Sequence, residues 1–412
     1  MCYSIKNALI SIKEGFKKMN YINEQIKGYL ANSSMIRRMF EAGIELKKQY
    51  GADNVFDFSL GNPDLPPPPQ VKEALAEIAA AADQPFAMGY MPNAGFPELR
   101  KQLAEQISFE QQSKIESSNV VVCCGAAGAL NVFFRAVLSA GDEVLCPSPY
   151  FVEYGFYAGN YGGKLKPVAT LEGFKLDAEA FKAAVNSSTR AIILNSPNNP
   201  TGRIYTESEL EAVAAVVKEA EEQFGRPIYV ISDEPYRFLN FDGEEIPPFF
   251  GLFSHAVIMG SCSKNLSLAG ERIGYIAVDN FGGADEVMNA LILCNRILGF
   301  VNAPIVGQKI LSKCISAQVD LNIYRERRDA MARVLDNAGI EYFMPKGAFY
   351  FFPKSPTADE QIFIDALLSE RVLAVPGRGF GAPGYFRTAF CVDKSIIERS
   401  AEGFKKAVEK VR

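Results

Sequence analysis

Residues 191–202 of the 412-residue chain read Ala-Ile-Ile-Leu-Asn-Ser-Pro-Asn-Asn-Pro-Thr-Gly, an apolar run that ends in a polar turn. A second apolar run, Ile228–Ser232, follows it. Between the two, Thr206 and Glu209 have the spacing of a capping box, which predicts the start of a helix. Because both runs are apolar throughout rather than alternating, this strand, helix and strand predict parallel strands that are covered on both faces.

The same pattern extends in both directions along the chain. Further apolar runs that predict strands are Val120–Cys124, Asp142–Cys146, Ala256–Gly260 and Ile273–Val278. We therefore expect an α/β fold whose large domain, residues 67–319, has helices on both faces of a mostly parallel sheet.

Beyond residue 320 the pattern changes to a long charged helix and short segments. The segments that predict strands lie near 341–343, 349–352, 372–375 and 386–390, and a final helix is expected over 393–411. We expect residues 320–412, together with residues 1–66, to form a smaller α+β domain that both chain ends build.

Two stretches of the N-terminal part are distinctive. The stretch Gly61–Pro69 is the strongest linker signal, since its prolines disfavour a helix and favour an extended path. Residues 1–18 carry several lysines and only a short apolar patch, so we expect a flexible extension that is not a targeting signal, with Met19 as an alternative start. No apolar run approaches the roughly 20 residues that span a bilayer, so no membrane partner is expected.

Composition argues against several classes of function. The net charge of −5, without a basic stripe, argues against a nucleic-acid partner. The eight cysteines form no Cys-x-x-Cys pair, which favours reduced thiols in a cytoplasmic protein over disulfides or a metal site. The single histidine, His255, argues against a Ser-His-Asp triad and a His-rich metal centre. Chemistry carried by lysine, arginine and acids points to a covalently held carbonyl cofactor.

The ends of the predicted strands carry the candidate residues. They are, in chain order, the small-residue turn Gly125–Gly128, Asn199, Asp233 with Tyr236, and Ser261 with Lys264, followed by Arg272. Each has an ordinary explanation by itself, such as tight packing, a generic turn or a surface lysine. Because ligands of doubly wound sheets bind beyond the carboxyl ends of the strands, we expect these residues to meet in one crevice.

The order and spacing of these motifs resemble a known family. The motifs Asn199-Pro-Thr-Gly, Asp233-Glu-Pro-Tyr236, Ser261-Cys-Ser-Lys264 and Gly-Glu-Arg272-Ile-Gly are similar to those of class I/II aminotransferases of the fold-type I pyridoxal-phosphate group, of the aspartate aminotransferase type. The resemblance covers about residues 30–405. It implies transamination between an L-amino acid and a 2-oxo acid, with pyridoxal 5'-phosphate as cofactor, in a homodimer with composite active sites.

The resemblance also implies three catalytic residues. Lys264 would hold the cofactor as a Schiff base and then act as the proton shuttle. Asp233 would pair with the pyridinium nitrogen and keep it protonated, so that the ring can accept electrons. Tyr236 and Asn199 would hydrogen-bond the phenolic oxygen of the ring.

Further residues would bind the cofactor by the same resemblance. Phe151 would stack on its ring, with Tyr150 as the alternative. The phosphate would be held by Gly125, Ala126, Ala127, Ser261 and Arg272, and by Tyr90 of the neighbouring subunit. Many family members have a hydroxyl or amide side chain where this sequence reads Gly-Ala-Ala-Gly, so backbone amides would serve here.

For the substrate, the resemblance implies a guanidinium fork. Arg387 would grip the α-carboxylate, beside Asn199 and Gly61. Arg296 lies in roughly the region from which aspartate-type members supply the partner's arginine for a distal carboxylate; the alternative is an exposed helix face. No metal ligand is expected.

Two other functions remain open at this level. A β-eliminating C–S lyase would use the same cofactor and the same lysine. A transcriptional regulator with an aminotransferase-like sensor domain would need a helix-turn-helix domain, for which residues 1–60 are too short and too weakly patterned.

Overall fold

The computed structural model describes residues 21–31 and 35–412, so the extension expected over residues 1–18 lies outside the described residues. The helices are α1 (Glu24–Ala31), α2 (Met35–Tyr50), α3 (Pro69–Ala80), α4 (Pro97–Glu110), α5 (Gly125–Val137), α6 (Glu153–Gly159), α7 (Ala178–Ala184), α8 (Glu207–Phe224), α9 (Ala284–Ile297), α10 (Ile305–Lys313), α11 (Leu321–Ala338), α12 (Glu360–Ser369), α13 (Lys394–Arg399) and α14 (Ala401–Val411). The strands are β1 (Phe56–Asp57), β2 (Val120–Cys123), β3 (Glu143–Pro147), β4 (Lys164–Val168), β5 (Thr189–Asn195), β6 (Tyr229–Asp233), β7 (Ala256–Ser261), β8 (Gly274–Val278), β9 (Tyr350–Phe351), β10 (Val372–Leu373), β11 (Val375–Pro376) and β12 (Phe386–Ala389).

A seven-stranded sheet forms the centre of the molecule. Its strand order is β2-β8-β7-β6-β5-β3-β4, and β8 runs antiparallel to both of its neighbours while the other pairs are parallel. The mostly parallel sheet expected from the sequence is therefore confirmed. In the β5–β6 register Asn195 lies beside Asp233, so the residues at these strand ends reach the same edge.

Both faces of the sheet are covered by helices. Ile192 and Leu194 of β5 belong to a buried cluster with side chains of α4, α8 and α10. Ala191 and Ile193, on the opposite face, pack with side chains of α5, α6 and α9. Alternate residues of one strand are thus buried on different sides, which explains the continuous apolar runs.

The connection between β5 and β6 follows the expected pattern. Thr206 caps α8 and forms the predicted capping box with Glu209. The helix ends at Gly225, which has a left-handed φ of 62° that favours glycine at this position.

Segments from both chain ends meet beside this sheet. Strand β1 pairs in parallel with β10, and β11, β12 and β9 form a small antiparallel sheet. The domain limits at 66/67 and 319/320 stay a prediction. The strand expected over 341–343 is wrong: those residues form no ladder, and Glu341 only accepts one backbone hydrogen bond from Lys354. The linker also ends earlier than expected, because Pro69 begins α3, where a missing N–H costs nothing.

The described residues contain neither a candidate membrane span nor a candidate metal cluster. None of the helices within 21–31 and 35–412 combines the length and apolar character that crossing a bilayer requires. Over the same ranges, no three His, Cys, Asp or Glu side chains gather closely enough to hold a metal ion.

Candidate active site

The predicted strand ends open into one cavity of about 290 Å³. The sequence-predicted residues that line it are Gly61, Ala126, Ala127, Phe151, Asn199, Asp233, Tyr236, Ser261, Lys264, Arg272 and Arg387. A larger cavity of about 460 Å³, lined by Phe174 and Tyr385 among others, contains none of them. The carboxyl edge of the central sheet therefore brings most of the chemistry-bearing residues together, whereas Gly61 and Arg387 reach the cavity from segments outside that sheet.

Asp233, the last residue of β6, has a half-satisfied carboxylate. Its Oδ2 accepts a 2.5 Å hydrogen bond from Tyr154, whereas its buried Oδ1 has no partner in the described part of the chain. Burial raises the pKa of Asp233 to about 6, although the Tyr154 hydrogen bond opposes that shift. An oxygen left open in this way is a binding position for a cationic N–H group.

Lys264 follows β7 and extends into the cavity. Its Nζ donates a 2.7 Å hydrogen bond to the carbonyl oxygen of Gly61. Burial lowers the pKa of Lys264 to about 8, and the nearby cations Arg387 and Arg272 act in the same direction. A much larger fraction of this amine is therefore neutral, and nucleophilic, near physiological pH than of a lysine exposed to water.

A pair of buried tyrosines lies beside Lys264. The hydroxyl groups of Tyr236 and Tyr350 are 2.8 Å apart and hydrogen-bonded. A side chain at Gly61 would collide with this pair, since its Cβ would lie 1.9 Å from the Tyr350 hydroxyl. Glycine at position 61 thus leaves room for the tyrosine pair next to the carbonyl oxygen that accepts the Lys264 hydrogen bond.

Arg387 of β12 is a buried cation without an acidic partner in the described residues. Its guanidinium donates to the Ser59 carbonyl at 2.7 Å and to Oδ1 of Asn199 at 3.1 Å, while its Nε has no partner. Burial lowers the pKa of Arg387. A buried guanidinium with an open donor is costly in isolation, and a carboxylate ligand would satisfy it.

The first turn of α5 forms another part of the cavity wall. Gly125 begins the helix with a φ of 73°, and the exposed side chain of Arg272 lies against it: a Cβ at Gly125 would be 2.6 Å from Nη2 of Arg272. Ala126 and Ala127 follow in the same turn. Free amides and the positive end of the helix dipole beside a guanidinium suit a phosphate.

Aromatic side chains complete the lining. Phe151 and Tyr154 are in edge-to-face contact, with ring centroids 5.5 Å apart, and Tyr157 lies one turn further along α6. Tyr154, Tyr157 and Tyr350 were not among the residues predicted from the sequence. The three-residue spacing of 151, 154 and 157 could have grouped Tyr154 and Tyr157 with Phe151, but the same spacing is typical of aromatic residues that face a core.

Two predicted residues lie elsewhere. Tyr90 is 93% exposed, and Arg296 is exposed in the last turn of α9; neither lines the cavity of its own chain. Both were expected to act on a neighbouring subunit, so their roles stay predictions.

The open positions fit a phosphorylated pyridine aldehyde. An unpaired carboxylate oxygen, a partly neutral amine and a helix N-terminus with an arginine match, in turn, a ring N–H, a carbonyl carbon and a phosphate. Arg387 remains for a substrate carboxylate. The fold and this site together are those expected of an aminotransferase, and equally of a C–S lyase that uses the same cofactor.

Comparison with known proteins assigns the family: the chain belongs to the aminotransferases of class I and II, whose pattern matches residues 53–404. A probable aspartate/prephenate aminotransferase of Aquifex aeolicus is 33% identical over 87% of this chain and 92% of its own. The aspartate/prephenate aminotransferase of Thermus thermophilus is 32% identical over 89% of this chain and 93% of its own.

Solved structures agree with this assignment. An aminotransferase from Eubacterium rectale has a TM-score of 0.91 at 36% identity, covering 95% of this chain and 99% of its own. Aspartate aminotransferase from Thermus thermophilus with maleate has a TM-score of 0.84 at 29% identity, covering 94% and 100%.

Proposed function

We propose that this aminotransferase holds pyridoxal 5'-phosphate covalently on Lys264 and uses it to move an amino group from an L-amino acid to a 2-oxo acid. One observation carries the proposal. A single cavity contains a lysine whose pKa is lowered by burial, a carboxylate with an open oxygen, and a buried arginine without an acidic partner in the described residues. Each group would be unfavourable there without a ligand.

When bound, the cofactor supplies a ring that accepts the electron pair released at the substrate Cα. Asp233 Oδ1 would keep a proton on the ring nitrogen, because a buried anion next to that nitrogen favours its charged form. Tyr236 and Asn199 would contact the phenolic oxygen. Phe151 would lie against the ring.

The phosphate end would be held by backbone and side chains together. The amides of Gly125, Ala126 and Ala127 point outward from the start of α5, where the helix dipole favours negative charge. Ser261 and Arg272 also line the cavity, and Arg272 lies against Gly125. The Gly-Ala-Ala-Gly turn itself has no hydroxyl or amide side chain, so its backbone amides, together with Ser261 and Arg272, would carry the binding.

Arg387 would position the substrate, and Lys264 would transfer its proton. The guanidinium would grip the α-carboxylate, with Asn199 and Gly61 beside it. Once displaced from the cofactor, the Lys264 amine would take the proton from Cα and deliver it again, a task that suits an amine whose pKa is about 8.

The relatives suggest the class of donor. Several are named aspartate or aspartate/prephenate aminotransferases, which supports acidic amino acids as donors. A second relative type, an aromatic-amino-acid aminotransferase of Thermococcus litoralis, is 28% identical. We propose aspartate or glutamate as the preferred donor. None of these names supports the C–S lyase alternative.

We also propose a cytoplasmic homodimer. Exposed apolar side chains cluster on two neighbouring segments: Phe86, Met88 and Tyr90 on the first, and Leu293, Ile297 and Phe300 on the second. The segments are joined by a 2.7 Å hydrogen bond from Asn93 to the Val301 carbonyl. An apolar surface of this kind is typical of an interface. Every cysteine in the described residues is a free thiol, as expected in a reducing compartment.

Trapping the cofactor on its lysine by reduction tests this proposal. Purified protein saturated with cofactor should be yellow, and borohydride should fix the cofactor to Lys264, as read by peptide mass spectrometry. Lys264→Ala should bind the cofactor reversibly and lose turnover. Lys313→Ala, on the surface and paired with Glu77, is the control and should behave as wild type. An adduct on another lysine, or none in saturated protein, contradicts the proposal.

A further inference from the structure

Tyr350 contacts three groups of the site at once. It lies in β9 with 2% of its surface exposed, and its hydroxyl is 2.8 Å from that of Tyr236. Its ring faces the Arg387 guanidinium, 4.6 Å from the ring centroid. The same hydroxyl occupies the space that a side chain at Gly61 would fill, and the Gly61 carbonyl accepts the Lys264 hydrogen bond.

The hydrogen bond between Tyr236 and Tyr350 has one favourable direction when a ligand accepts from Tyr236. Burial holds the pKa of Tyr236 well above its usual value and raises that of Tyr350 to about 12, so both are neutral hydroxyls with one proton each. If the Tyr236 hydroxyl donates a hydrogen bond to a ligand in the cavity, its oxygen must accept the hydrogen bond that Tyr350 donates. A phenol that accepts one hydrogen bond donates the other more strongly, because chained hydrogen bonds polarise one another.

The ring of Tyr350 contacts the Arg387 guanidinium. Arg387 lies between the rings of Tyr350 and Phe380, at 4.6 and 4.7 Å. Aromatic faces attract a buried cation without using its N–H donors, whereas an acidic partner would compete with a carboxylate ligand. The guanidinium is held in place while its open donor stays available.

We propose that Tyr350 is a positioning residue with two separable tasks: its hydroxyl donates to Tyr236, and its ring holds Arg387 ready for the substrate carboxylate. This inference rests on the function proposed above. The two tasks belong to different atoms of one side chain, so different substitutions separate them.

Two variants of the holoenzyme test this. Tyr350→Phe keeps the ring and removes the hydroxyl, whereas Tyr350→Leu removes both. The control is Tyr324→Phe: Tyr324 is fully buried, its ring is 5.9 Å from that of Phe349, and its hydroxyl has no partner in the described residues. The measurements are kcat and KM for an amino-acid donor and the pH titration of the cofactor's visible absorbance. The third measurement is the Kd of carboxylates that lack an amino group: succinate, 4-methylpentanoate and 3-phenylpropanoate.

For Tyr350→Phe we expect kcat to fall by about three- to tenfold, the size of one buried hydrogen bond, while the carboxylate Kd stays within about twofold. The midpoint of the absorbance titration should move upward, because a weaker donor leaves more negative charge on the cofactor's phenolic oxygen and favours the protonated form. For Tyr350→Leu the carboxylate Kd should additionally weaken by about tenfold. Tyr324→Phe should change none of these values.

Other results overturn the inference. An unchanged absorbance midpoint in Tyr350→Phe removes the hydroxyl task, and an unchanged carboxylate Kd in Tyr350→Leu removes the ring task. Equal losses in Tyr324→Phe would assign both effects to general packing. If Tyr350→Leu does not fold, Tyr350→Met replaces it. Failure of the wild-type enzyme to bind any of the carboxylates, or to show cofactor absorbance, would instead reject the proposed function.

Discussion

Tyr154 donates a 2.5 Å hydrogen bond to Oδ2 of Asp233 and leaves Oδ1 of the same buried carboxylate without a partner in the described residues. Burial and the Asp233 charge hold the pKa of Tyr154 well above its usual value, so the tyrosine stays protonated and remains the donor. One oxygen is thus fixed, and the other is available for the ring N–H of the proposed cofactor.

The first prediction concerns this hydrogen bond. In Tyr154→Phe the cofactor-free enzyme should bind pyridoxal 5'-phosphate about tenfold more weakly, the size of a hydrogen bond to a charged group. Because burial already raises the Asp233 pKa to about 6 and Tyr154 opposes that shift, the variant's pKa should be higher still. Protonated Asp233 cannot pair with a ring N–H. As the pH is lowered, the variant should therefore lose cofactor affinity at a higher pH than the wild type does. Titrating Kd against pH by fluorescence checks this, and coincident curves would contradict it.

The sequence located Asp233 but could not locate Tyr154 or Tyr350. Asp233, Asn199 and Lys264 follow apolar strands, and parallel strands bring such residues to one edge regardless of the rest of the fold. Tyr154 meets Asp233 across 79 positions, and Tyr350 meets Tyr236 across 114. Further aromatic residues lie within three positions of each of them, so nothing local distinguishes them from core residues.

The fold was predictable to a similar degree. Continuous apolar runs identify interior strands, but they are the same for either direction, so the antiparallel orientation of β8 cannot be read from its residues. What differs is the connection: β7 and β8 are joined without a crossover helix. Residues 341–343 resemble a strand in composition, yet no neighbouring segment offers them a ladder.

The second prediction tests the phosphate cradle. Gly125→Ala should weaken cofactor binding by tenfold or more, because alanine disfavours a φ of 73° and its Cβ would displace Arg272. Gly270→Ala is the matched control, since a Cβ there meets no atom within 4 Å. Equilibrium dialysis with pyridoxal 5'-phosphate, and with pyridoxal lacking the phosphate, separates the contributions. The loss should be confined to the phosphorylated form; an equal loss for both would place the defect elsewhere.

The third prediction concerns the charge state of Lys264. In cofactor-free enzyme, imine formation with pyridoxal should rise through pH 8 rather than near 10.5, because burial lowers the pKa of this amine. Nearby cations also disfavour the ammonium form, so Arg387→Met should move the midpoint upward by about half a pH unit or more. Arg333→Met, on the exposed face of α11, should leave it unchanged. A wild-type midpoint near 10.5, or no response to Arg387→Met, would disprove this explanation.

The fourth prediction concerns composite sites in the proposed homodimer. If Tyr90 serves the partner's cavity, Tyr90→Ala and Lys264→Ala chains should be nearly inactive alone. Co-expressed, half of their dimers should be hybrids with one intact site of two, which recovers about a quarter of wild-type activity. Two affinity tags allow the hybrids to be purified and assayed. Absence of recovery in pure hybrids would show that Tyr90 acts within its own chain, and full activity of Tyr90→Ala alone would show that it has no role in the site.

The last prediction concerns Arg296 and the donor side chain. Arg296 lies in the last turn of α9, next to the exposed apolar Ile297 that ends the helix, on the surface proposed for the dimer. If it reaches the partner's cavity, Arg296→Leu should lower kcat/KM for aspartate and glutamate by about a hundredfold and for phenylalanine by less than about twofold, because only dicarboxylates leave a charge unpaired. Arg333→Leu, exposed on α11, is the control for general charge effects. Equal losses for all donors would instead make Arg296 an interface residue, and no loss for any donor would leave it on a solvated helix face with the distal carboxylate bound elsewhere.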